Sequence, residues 1–279
     1  MTPTAILLVH CPDQTGLVAS VTSFLAAHRA NILDLDQHVD TSQNLFFMRV
    51  SWDLNGFSLS ETDFRSRFAA DIAEPRQMTW SLYMDAPPPT FAVFVSHLPH
   101  CLVDLLGQFH AQIPVVVSNH QSLADIARRF DIPFHHVPVT AETKAQAEAR
   151  QLNILREHGV EAVVLARYMQ IVSPDFIARF PNRIINIHHS FLPAFPGAKP
   201  YHSAYHRGVK IIGATSHFVT AELDAGPIIE QDVVRVDHRD EIDDLVRKGR
   251  ELEKLVLSRA VWGYSQRRIL SVGNKTVVF

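Results

Sequence analysis

The feature that most limits how this chain can fold is a run of three prolines, Pro87, Pro88 and Pro89, set between Asp85-Ala86 and Thr90. Each proline removes a backbone donor and fixes φ, so the run can continue neither a helix nor the interior of a sheet. It reads as a semi-rigid, extended spacer. It divides the sequence into residues 1–85 and 91–279, with 86–90 as the linker. Two domains also suit a chain of 279 residues, on the loose prior of about 150 residues each.

The pattern of apolar residues changes across this break. Before it, residues 5–9 form an apolar run of strand length, and 31–39, 44–52 and 76–84 also read as strands. Leu17, Val18, Val21, Phe24 and Leu25 recur at helical spacing within 16–28, and Phe64, Phe68 and Ile72 do so within 61–72. The order β-α-β-β-α-β is the ferredoxin-like arrangement. After the break, residues 91–95, 114–118, 162–165, 183–188 and 209–214 read as strands. Residues 101–109, 142–158, 201–207 and 241–262 read as helices between them. Continuous apolar strands alternating with helices predict an α/β domain whose mostly parallel sheet is covered on both faces. The tail, 267–279, places Gly273-Asn274 between β-favouring runs and predicts a hairpin.

Composition excludes several classes. Lys+Arg of 26 against Asp+Glu of 29 gives a net charge of −3, so no basic face is expected for a nucleic acid or a membrane surface. No run approaches the ~18 apolar residues of a membrane span. The first apolar stretch stops at His10 with no basic region before it, too short for a signal peptide. Cys11 and Cys101 lie in no metal or redox spacing, which suits a reducing compartment. The expectation is a soluble cytoplasmic protein. The 16 histidines stand out against this ordinary background and invite a metal-enzyme reading.

The residues best placed for chemistry follow the strand at 183–188. Side chains alternate along a strand, so Asn186 and His188 share a face, at the carboxyl end where open α/β sheets bind ligands. A Pro- and Gly-containing loop, Leu192 to Pro200, follows. Farther along, Asp224 precedes Ala225-Gly226-Pro227 in a turn that can project its carboxylate. An amide, an imidazole and a carboxylate suit attack on a carbonyl-like carbon: one orients the carbonyl, one steadies the oxyanion, one takes a proton. Taken singly, each also fits a polar strand end or a capping residue.

Together, Asn186-x-His188, the Ser190-to-Gly197 loop and Leu223-Asp224-Ala225-Gly226-Pro227-Ile228-Ile229 resemble the formyltransferase family, which handles the formyl group of 10-formyltetrahydrofolate. The resemblance covers residues 91–279 and implies a Rossmann-like domain with Asn186, His188 and Asp224 as catalytic residues. It also implies that Ala166, Arg167, Tyr168 and Met169, on a strand-end loop, cradle the folate. Arg167 reads equally as facing the glutamyl tail of folate or as solvated. Residues 1–85, with Pro12 to Val18 between the first strand and helix, resemble ACT regulatory domains. That likeness implies an amino-acid effector near Asp13, Gly16, Leu17 and Asn31, and a homo-oligomer formed through this domain. Those four residues read equally as capping residues in a domain used for assembly alone. Folate enters as substrate, so no cofactor and no metal is implied.

A missing feature bears on the acceptor of the formyl group. A transferase to a phosphorylated ribosyl amine needs a glycine-rich phosphate cradle after its first strand. Here that stretch is Ser96-His97-Leu98-Pro99-His100-Cys101-Leu102, without glycine. Water is then the natural nucleophile, and the reaction is hydrolysis to formate and tetrahydrofolate. Transfer to an amine, as in glycinamide ribonucleotide formyltransferase, is the alternative. His97, His100 and Cys101 read as a helix-start cluster beside the nucleophile's entrance, because no second pair completes a tetrahedral metal set. His135-His136 reads as surface or pocket rim. His189 reads as pointing away from the site, with a structural hydrogen bond. Of all the histidines, only His188 carries a positional argument for direct chemistry.

Overall fold

A computed structural model of the chain describes residues 3–193 and 200–279. The expected loop after His188 therefore falls largely outside the described residues, at 194–199. The chain divides into two compact units. The first comprises Met1–Pro87 with Gln266–Leu270 and Val277–Phe279, and the second comprises Pro88–Ser265 with Ser271–Thr276.

The first unit follows the predicted order: β1 (Thr4–Pro12), α1 (Leu17–Ala27), β2 (Asn31–Asp40), β3 (Leu45–Asp53), α2 (Glu61–Phe68) and β4 (Thr79–Met84). The strands pair antiparallel in the order β2-β3-β1-β4. Aromatic rings fill the space under the helices. Phe64 stacks on Phe68 at 5.2 Å and on Trp52 at 5.5 Å, and Phe24 meets Phe64 and Phe68 edge-on. The predicted helix at 61–72 is α-helical only to Phe68. It continues as a π-helical turn, Ala69–Ala73, and a 3-10 turn, Glu74–Arg76. Gln77, at φ 53, then ends it in the left-handed region, which is why β4 starts later than the apolar pattern suggests.

In the second unit, β5 (Phe91–Val95), β6 (Val115–Ser118), β7 (Phe134–His136), β8 (Ala162–Leu165) and β9 (Ile184–His188) alternate with α3 (His100–Phe109), α4 (Ala124–Arg129), α5 (Lys144–Glu157) and α6 (Pro174–Arg179). Then come α7 (Pro200–Arg207), β10 (Ile211–Phe218), β11 (Ile228–Arg235) and α8 (Ile242–Ser265). The seven-stranded sheet runs β11-β10-β9-β8-β5-β6-β7. Its β7-to-β9 part is parallel, and β10 and β11 add antiparallel. All residues of β5, β6 and β8 are buried, the reason their sequences are unbroken apolar runs. The chain winds outward from β5 through β6 and β7 and then returns to β8 on the other flank of β5. That reversal opens a crevice at the carboxyl ends of β5 and β8.

Two differences from the sequence reading bear on the site. β10 runs to Phe218 rather than stopping at 214, because the buried Thr215, Ser216 and His217 continue it despite their polarity. The short helices α4 and α6 were not expected, although Ser173 caps α6 by accepting from the Phe176 amide, with Pro174 following it. The predicted tail hairpin forms as β12 (Ile269–Val272) and β13 (Lys275–Val278), with Gly273 at φ 57.

Candidate active site

Asn186 and His188 lie on one face of β9, as alternation requires. β10 runs antiparallel beside it and sets His217 directly opposite Asn186. Cross-strand partners on one face are close enough for their side chains to touch, and the Asn186 amide nitrogen stands 3.2 Å from His217 Nε2. His217 is 2% exposed, and its Nδ1 donates to the Phe218 carbonyl at 2.9 Å. In the neutral ring, Nε2 is then left to accept from Asn186. The second N–H of that amide remains for the cavity.

Asp224 reaches the same face from the loop joining β10 to β11. The Phe218 amide donates to the Pro227 carbonyl and closes the loop's base. Gly226 is required there, since a Cβ would fall 1.8 Å from the Phe218 carbonyl oxygen. Asp224 itself sits in the left-handed region, φ 54. Its Oδ2 stands 3.3 Å from His188 Nδ1 and its Oδ1 3.7 Å from His217 Nε2. The hydrogen bond from His188, followed by the contact with His217, outweighs partial burial and holds the Asp224 carboxyl far below the usual carboxylate range. His188 Nε2, on the far side of its ring, is buried and meets no hydrogen-bond partner among the described residues.

These residues wall a cavity of about 440 Å³, completed by the loop that leaves β8. Arg167, Tyr168 and Met169 of that loop line it. Ala166 is wholly buried, its amide donating to the Phe94 carbonyl, and it anchors the loop rather than lining it. Ser96, at the end of β5, accepts from the Met169 amide and donates to Asn119, tying the loop into the crevice. The Tyr168 hydroxyl accepts from Gln151, and burial pushes its pKa up to about 12.

His217 is the correction to the sequence reading, which kept His188 alone among the histidines. The signal was a histidine in Thr215-Ser216-His217-Phe218, seven residues before Asp224, on the polar continuation of the strand expected over 209–214. His189 lies just past β9, buried, with its ring 5.1 Å from that of His188 and 6.0 Å from that of Tyr201. It packs beside the site instead of turning away from it. His97 stacks on His120 at 3.7 Å, and His135 meets His158 edge-on. His100, Cys101 and Glu253 bring their ligand atoms within 4.8 Å of one another, a grouping the sequence left unpaired. His100 already pairs with Glu253, and Arg167 lies beside the same carboxylate, so the group neutralises itself.

In the first unit, Gly16 (φ 89) precedes α1, and the Ser20 hydroxyl donates to its carbonyl. Asp13 donates its amide to the Asn44 carbonyl, and Asn31 starts the exposed strand β2. The Leu17 side chain is in the core, 2% exposed. Only its backbone remains for any small ligand there.

The fold and the crevice define an α/β enzyme domain preceded by a small ferredoxin-like unit. A family model described as formyl transferase matches residues 90–261, and one described as ACT domain matches residues 5–56. The chain is 52% identical to a formyltetrahydrofolate deformylase of Synechocystis sp., over 99% of this chain and 98% of that one. The crystal structure of a formyltetrahydrofolate deformylase from Pseudomonas syringae pv. tomato aligns with a TM-score of 0.95 at 45% identity, over 100% of this chain and 95% of that one. Glycinamide ribonucleotide transformylase 1 from Symbiobacterium toebii aligns at 0.67 and 32% identity, over 71% of this chain and 98% of that one. The chain belongs to the formyl transferase family and, within it, to the formyltetrahydrofolate deformylases, which are enzymes. Among the described residues no helix is long and apolar enough to cross a membrane.

Proposed function

We propose that the chain hydrolyses 10-formyltetrahydrofolate to formate and tetrahydrofolate in the cavity between the β8 loop and the Asn186–His188–Asp224 group. The observation that carries this reading is the convergence of an amide, an imidazole and an ionised carboxylate on one cavity wall, opposite a loop able to hold the folate. The name borne by full-length relatives supports the same substrate. Asn186 steadies the formyl oxygen as it gains charge, and His188 does so from Nε2 when its ring carries both protons, Nδ1 donating to Asp224. Asp224 aligns the water and takes its proton during attack. A carboxylate with so low a pKa is a weak base, so it passes that proton on to the leaving folate nitrogen. No cofactor enters the reaction.

The assay is incubation with 10-formyltetrahydrofolate and no added amine, following formate and tetrahydrofolate. Release without an acceptor is expected. Release only when an amine such as glycinamide ribonucleotide is supplied would make the enzyme a transferase, and no release under either condition would remove the catalytic reading. As parts of the same proposal, the protein works in the cytoplasm and serves purine biosynthesis. The ACT unit takes an amino acid near Asp13, Gly16 and Asn31 and assembles the chain into a homo-oligomer.

A further inference from the structure

A buried anion lies behind one wall of the cavity. Glu253 of α8 has a side chain 1% exposed, and residues from three other segments converge on it. His100, the first residue of α3, donates from Nε2 to Oε2 at 2.8 Å, and Tyr201 of α7 donates its hydroxyl to Oε1 at 2.7 Å. Arg167 places Nε 3.5 Å from Oε2. Burial alone would raise the carboxyl's pKa. The His100 hydrogen bond, the Arg167 charge and the Tyr201 hydroxyl outweigh that and hold it below its ordinary value. Glu253 is thus a fixed negative charge inside the domain.

Arg167 is the part of this group that reaches the cavity. Its side chain is 12% exposed and lines the wall shared with Asn186, His188 and Asp224. Its buried Nε–H meets no acceptor, and its guanidinium forms no hydrogen bond among the described residues. The 3.5 Å contact supplies charge balance rather than a hydrogen bond. Its backbone stands at φ 60, a conformation that disfavours every side chain and that persists mainly where surroundings or function impose it. A guanidinium with unused donors, held by a buried carboxylate and facing a reaction cavity, suits a planar anion with two oxygens.

The proposed hydrolysis makes such an anion, and the inference rests on that reading. Water forms a C–O bond to the formyl carbon, the bond from that carbon to the folate nitrogen breaks, and one water proton ends on that nitrogen. The formic acid released loses its proton to solvent and becomes formate. We propose that Arg167 receives the formate carboxylate as it forms, and that Glu253 is the positioning residue that keeps the guanidinium at the cavity wall. Formate would otherwise share the cavity with Asp224, a like charge and no hydrogen-bond donor.

Product inhibition of the full-length protein tests this. Arg167→Gln should weaken inhibition by added formate roughly 10- to 100-fold and lower kcat. Arg167→Lys should recover part of the formate inhibition. Glu253→Gln, which touches no cavity surface, should weaken it in the same direction. Unaltered formate inhibition in a folded Arg167→Gln protein overturns the proposal. Carbon-13 line broadening of labelled formate by the free protein gives a readout that needs no turnover. If the wild-type protein releases no formate, the hydrolytic reading fails by itself. The line broadening still decides for Arg167: its loss in Arg167→Gln supports the assignment, and its persistence overturns it.

Discussion

Asp224 sits between two imidazoles and answers to both. His188→Ala removes an oxyanion donor, and loss of one positioned donor costs about 100- to 1000-fold in turnover. Asp224→Asn should collapse hydrolysis by a similar factor while folate binding, measured by equilibrium titration, persists. His217→Ala should cost less, roughly tenfold, because it leaves the Asn186 amide misaligned without removing it. The pH dependence has a definite sign. The folded-state pKa of Asp224 lies below its ordinary 3.8. Its ionisation therefore favours the folded state above that ordinary value, and the contribution fades only as pH falls through the lower, folded one. Asp224 then stays charged across about pH 5 to 8, the window in which imidazoles titrate. The pH profile of kcat/KM should therefore show no limb from this carboxylate between about pH 5 and 8; a limb in that window that vanishes in Asp224→Asn while all others stay would overturn this.

At the scale of elements, two glycines fix what the strands and helices can present. Gly226→Ala would push against the Phe218 backbone carbonyl, which cannot swing aside. It should destabilise the loop by about 1–3 kcal/mol and reduce activity, both readable from a denaturant titration beside an assay. On α8, a Cβ at Gly249 would meet the Tyr201 ring 2.2 Å away, displacing the hydroxyl that pairs with Glu253. How much the sequence disclosed follows from the same local physics. β5 and β8 were legible to the residue because they are buried on both faces and bounded by turns. Asn186 and His188 were legible because alternation along a strand is strict. His217 was not, because a buried polar strand looks like a loop until its partners are seen. Glu253 was not, because a carboxylate on a long charged helix looks solvated. Only the packing of α8 against the sheet shows that residue 253 faces inward. Arg167 was legible as a position but ambiguous as a role, since its value depends on that hidden partner.

Over the whole molecule, the prolines near residue 88 mark the first break between compact units, while the first unit also takes in two pieces of the tail. Arg49 of β3, 6% exposed, donates to the carbonyls of Arg267 at 3.1 Å and Gln266 at 3.3 Å. Arg267 lies over the Tyr83 ring at 4.1 Å. A chain cut after residue 265 should therefore leave Arg49 short of acceptors and lower the stability of the first unit, seen as faster amide exchange along β3. Unchanged exchange would show that water satisfies Arg49 fully. Residue 167 holds a backbone angle that glycine adopts freely, so Arg167→Gly meets no steric barrier from the main chain. It would empty the volume of a whole arginine side chain beside the reacting carbon and leave Glu253 at its edge. A small amine soaked into that variant should intercept formyl groups that the parent gives to water, so that one codon separates a site reserved for solvent from one with room for a guest.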